Sequence, residues 1–160
     1  MNKVTTVVSA MFLLMLFAYA APVMAITKEP YWAHVQFRSM GQPEKMWMSG
    51  GILHLEDVPD TGSINGTLGL GTIDVQFTHI MMNTKTGQGT FIATWTITVG
   101  QNTLSGTANG MITGGLSGTA TGHFRGTYGT GDFTGIEKWG TFTTNLLTGV
   151  EEEQGTIIYH

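Results

Sequence analysis

The sequence predicts an all-β chain: an antiparallel barrel of about eight short strands, with a β-sandwich as the alternative, preceded by a signal peptide. Three observations carry this reading. Apolar and polar residues alternate with a period of two in stretch after stretch, as half-buried strands require, and no segment shows a convincing helical period. The 23 glycines, about twice the usual share, punctuate those stretches. An apolar run from Val7 to Ala21 follows Lys3 at the N-terminus.

That apolar run has the build of an export signal. Pro22-Val23-Met24-Ala25 places small residues at the two positions a signal peptidase inspects, so cleavage is expected after Ala25, leaving 26–160 as a single domain. The alternative is a retained membrane anchor, since Val4 to Ile26 reaches the roughly 20 residues a span needs. With no cysteine, an exported domain must hold together by core burial and sheet hydrogen bonds alone. A net charge of -4 and the lack of any Lys/Arg cluster argue against a nucleic-acid partner.

Taken in order, Tyr31, Ala33, Val35 and Phe37 alternate with Trp32, His34, Gln36 and Arg38, which gives the first strand. Glu44 to Asp57 reads as a long strand interrupted at Gly50-Gly51 by a bulge or barrel corner. Val58 to Gly62 has the composition of a turn, and Ser63 to Leu70 that of a short strand. Ile73, Val75, Phe77, His79 and Met81 then share one face. After a loop over 83–89, Phe91, Ala93, Trp95, Ile97 and Val99 form the cleanest inward face in the chain. Thr103 to Thr113 and Ser117 to Tyr128 flank a turn at Gly114-Gly115. Phe124, Gly126 and Tyr128 share a face, and Gly129-Thr130-Gly131 reads as a tight turn before a strand from Phe133 to Asn145. Ile157, Ile158 and Tyr159 mark a last strand over 154–160. Closure into a barrel is preferred because it removes exposed strand edges, and interior glycines suit its bends.

The segment Phe124-Arg125-Gly126-Thr127-Tyr128-Gly129-Thr130-Gly131-Asp132-Phe133-Thr134-Gly135 resembles the G-T-G-x-F-x-G signal found late in allene oxide cyclase and dirigent barrels. Those barrels are eight-stranded and often exported. The resemblance covers this hairpin and the strand after it, where Ile136-Glu137-Lys138-Trp139-Gly140 departs from the small-residue-then-glycine continuation of those families. It implies a barrel of that kind and, as an activity, an isomerase or cyclase holding a small apolar substrate in the lumen. It carries no catalytic residue onto this chain.

The residues themselves favour no reaction. Cysteine nucleophiles are excluded, no G-x-S-x-G elbow occurs, and no glycine loop leads into a helix as phosphate binding requires. Glu151-Glu152-Glu153 reads as a solvated loop rather than a calcium site, and Glu56-Asp57 as a turn rim. His79, Trp95 and Tyr128 lie on inward-assigned faces and are the candidate ligand-binding residues, although an interior His79 bonded to a neighbouring hydroxyl is an ordinary core feature. No metal or cofactor is expected. Met46, Met48, Met81 and Met82 with His54 and His79 offer copper-type donors, but methionine is also an ordinary core filler. Asn65-Gly66-Thr67 is a glycosylation acceptor where the host glycosylates. The expected role is therefore small-ligand binding or structure, with a small apolar molecule as partner and a membrane only if the N-terminal segment is retained. An eight-stranded barrel is just wide enough to be filled by side chains or to hold one small ligand, so the presence of a lumen decides.

Overall fold

Alternation along the chain becomes nine antiparallel strands in the computed structural model, which describes residues 26–38 and 40–160; the expected signal peptide lies outside them. They are β1 (Thr27–Phe37), β2 (Lys45–Ser49), β3 (Ile52–Gly66), β4 (Gly69–Asn83), β5 (Gly89–Val99), β6 (Asn102–Thr113), β7 (Thr119–Gly129), β8 (Ile136–Asn145) and β9 (Val150–Tyr159). Each strand from β3 to β9 pairs with the next, β9 pairs with β1, and β1 returns to β3 through Ala33↔Gly66 to Phe37↔Gly62. The ring is a closed eight-stranded barrel, which sets aside the sandwich. Strand β2 stands outside the ring, paired only to the start of β3 from Lys45↔Glu56 to Ser49↔Ile52. Among the described residues no helix is long and apolar enough to cross a membrane.

The inward face of β5 is as the alternation dictates: Phe91, Ala93, Trp95 and Ile97 are buried, and Val35, Val58, Ile80, Leu104 and Ile157 join them in one core. Large rings fit this narrow interior because glycines face each other beneath them. Gly106 pairs close to Gly126 across β6 and β7, and a methyl group at either would collide with the Trp95 ring. Phe91 lies over Gly110 and Phe142 over Gly122 in the same way.

Several local readings are corrected. Gly50 and Gly51, with φ of 59° and 82°, form a two-residue hairpin turn between β2 and β3 rather than a bulge within one strand. Val58 to Gly62 is not a turn; β3 runs straight through it, kinked at Asp57, whose φ of 53° is the only positive value at a non-glycine among the described residues. The β4–β5 register slips at Thr78, so Ile80 and Met82 face inward and His79 and Met81 outward. A second slip at Thr127 turns Tyr128 outward, leaving it 77% exposed. Gly129 ends β7, and a short 3-10 turn over Gly131–Phe133 folds Phe133 back into the core, so the connection is longer than a tight turn. The acidic run is not a loop but the start of β9: Glu152 faces solvent and pairs with His34, while Glu151 and Glu153 face inward.

Candidate functional site

Two layers of polar side chains lie inside the barrel. The deeper one centres on Lys138 of β8, which is fully buried. Its Nζ donates to Tyr31 Oη at 2.8 Å and to Glu153 Oε2 at 3.0 Å, and the Tyr31 hydroxyl donates to the same Glu153 oxygen at 2.5 Å. The ammonium also sits 4.3, 4.4 and 4.6 Å from the ring centroids of Trp95, Tyr31 and Phe124. Burial presses the Lys138 pKa down, and Glu153 opposes that by favouring the charged form. Burial, then Glu153, raises the pKa of Tyr31, so its hydroxyl keeps its proton. This layer is a desolvated ion pair boxed by aromatic faces.

The second layer borders open space. A cavity of about 240 Å3 remains above the ion pair, walled by apolar side chains that include Val75, Phe77, Phe91, Ala93, Ala120 and Phe142. Met40 and Leu116, 37% and 48% exposed, are the lining residues where it meets solvent. Asp60, Thr144, Glu151 and Glu153 supply its polar surface. The Thr144 hydroxyl donates to Glu151 Oε2. Burial, and then the neighbouring Glu153 charge, pushes the Glu151 carboxyl up to about 8, so it is mostly protonated at neutral pH. Burial raises Asp60 as well, opposed by the Thr61 backbone N–H, which donates to its Oδ1 at 2.8 Å. Among the described residues no buried side-chain polar atom lacks a partner.

Chemically, the lumen offers an apolar body site with a neutral acid and a second carboxyl at its edge, suited to a small molecule with one polar group. Of the three residues expected to bind a ligand, Trp95 lines this cavity and covers Lys138, its indole N–H donating to the Thr107 carbonyl at 3.0 Å. His79 and Tyr128 lie on the outside and do not meet it. Missed from sequence were Tyr31, Asp60, Lys138, Thr144, Glu151 and Glu153. The signal available was parity: Lys138 shares its alternation with Ile136 and Phe142, and Glu151 and Glu153 share theirs with Ile157. No protein-family model matches this chain, and no curated protein matches it. Fold and site together define an eight-stranded β-barrel domain with an internal cavity.

Proposed function

We propose that the protein is an exported barrel that binds one small, largely apolar molecule in its lumen and does not transform it. The observation that carries this reading is the cavity itself: about 240 Å3 lined by aromatic and aliphatic side chains, where a dry pocket of about 150 Å3 already accepts a benzene-sized guest. Export rests on Lys3, the apolar run and Val23-Met24-Ala25. Native mass spectrometry of protein purified from its own source tests the reading. A small organic molecule is expected to travel with the chain, which should begin near Ile26; protein carrying no organic mass, and accepting no apolar guest afterwards, contradicts it.

A second reading, an isomerase or cyclase of the allene oxide cyclase type, is favoured by the Glu151 carboxyl. It borders the lumen and keeps its proton up to about 8, as a proton donor to a bound substrate would. A guest recovered chemically changed, with Glu151→Gln abolishing the change, selects that reading over passive binding.

A further inference from the structure

On the outside of the barrel, away from the lumen, the strands bring together four side chains that no part of the lumen reading uses. His54 of β3 and His79 of β4 meet with Nδ1 and Nε2 only 3.2 Å apart. Trp47 of β2 pairs with His54 and stacks flat on its ring at 4.7 Å, and it lies 6.0 Å from the His79 ring. Met81 stands directly across from His54 in the β3–β4 ladder, on the same outward face. We propose that His54 Nδ1, His79 Nε2 and the Met81 thioether form a binding site for monovalent copper, covered on one side by Trp47.

Four observations support it. With imidazole–metal bonds of about 2.0–2.1 Å, nitrogens 3.2 Å apart subtend roughly 100° at a shared ion, an ordinary ligand angle. The backbone is irregular at this place on both strands. Asp57 of β3 takes a left-handed conformation and Thr78 of β4 is the extra residue of a bulge; without that bulge His79 would point into the core. Bulges re-aim side chains, and this one aims an imidazole at its neighbour. The donor set includes a soft thioether: among the described residues no three His, Cys, Asp or Glu side chains converge as a hard-ion or structural zinc site needs, whereas two borderline imidazoles with a thioether suit Cu+. Finally, the chain has no cysteine, so no thiolate competes for the ion. Of the methionines that could join from sequence, Met82 is buried in the core, and Met46 and Met48 alternate with Trp47 and so lie on the other face of β2. Of these, Met81 alone stands opposite His54 on the outward face.

The test is a titration of the 26–160 chain with Cu+ under ascorbate, buffered by a chromogenic Cu+ chelator, with Zn2+ titrated in parallel. One Cu+ per chain is expected, with quenching of indole emission that disappears in Trp47→Phe while binding persists. Loss of a nitrogen ligand in His54→Ala or His79→Ala should weaken Cu+ binding about a hundredfold, and Met81→Leu about tenfold. His79→Gln keeps a hydrogen-bonding side chain beside His54 and should fail like His79→Ala. All four residues face outward, so circular dichroism should report folded variants. Absence of Cu+ binding by the wild type, undiminished binding by the His54→Ala/His79→Ala double variant, or Zn2+ displacing Cu+ at equal concentration overturns the proposal.

Discussion

Glu151 is a carboxylic acid held inside a barrel next to a second carboxylate, and its proton is the cheapest way to keep it there. Folding raises its pKa from 4.5 to about 8, so the folded chain holds a proton that the unfolded chain releases across that interval. Its contribution to stability is therefore complete below 4.5 and is lost as the pH rises through about 8. Unfolding free energies from urea titrations should fall between pH 5 and pH 8, with a slope of at most about 1.4 kcal/mol per pH unit from this one group. Glu151→Gln should flatten the fall, and an unchanged slope in that variant would count against a protonated interior acid. Lys138 poses the opposite problem. Lys138→Met takes the paired cation away from the buried Glu153 and should cost about 3–5 kcal/mol, whereas Lys138→Met with Glu153→Gln should recover much of that. If the double variant is no more stable than the single one, the ion pair is not what Lys138 provides.

Strands account for what the sequence made legible and what it hid. The faces of β1 and β5 follow strict alternation because neither strand itself carries an extra residue, and Trp95 and Trp32 lie in and out as read, 5% and 54% exposed. Trp95→Ala should accordingly cost about 3–5 kcal/mol in urea unfolding, and Trp32→Ala much less. Equal losses would mean that the two facings are wrong. Alternation misled where a single residue is skipped: Thr78 and Thr127 are ordinary threonines in sequence, yet each slips the register and sends His79 and Tyr128 outside. It was also overruled by residue type. Charge argued that Glu151 and Glu153 were solvated, when their parity placed them inside, with partners on the neighbouring strands β8 and β1. The connection between β7 and β8 is structural in the same sense. Gly131 holds a φ of 59°, and a side chain at Gly129 would run into the Phe133 carbonyl. Gly129→Val and Gly131→Val should both lower Tm, with Thr130→Ser close to neutral; unchanged melting in both valine variants would contradict a structural turn.

At the scale of the whole molecule, closure does two things that no single strand does. It leaves only short lengths of sheet with a strand partner on one side, β2, residues 27–32 of β1 and residues 58–61 of β3 among the described residues, so a chain with few charges presents little edge for edge-to-edge association. It also encloses more space than its side chains fill, with the small Ala93 and Ala120 among the residues that line it. The central claim is that this space takes a guest. Its most direct test is calorimetric titration of neutral aromatic molecules, benzene to ethylbenzene, into the 26–160 chain and into Ala120→Leu, which places a larger side chain in the cavity wall. Saturable one-to-one binding by the wild type, lost in a variant that melts no lower, is the predicted result; no saturable binding, or equal binding by the two proteins, would contradict it.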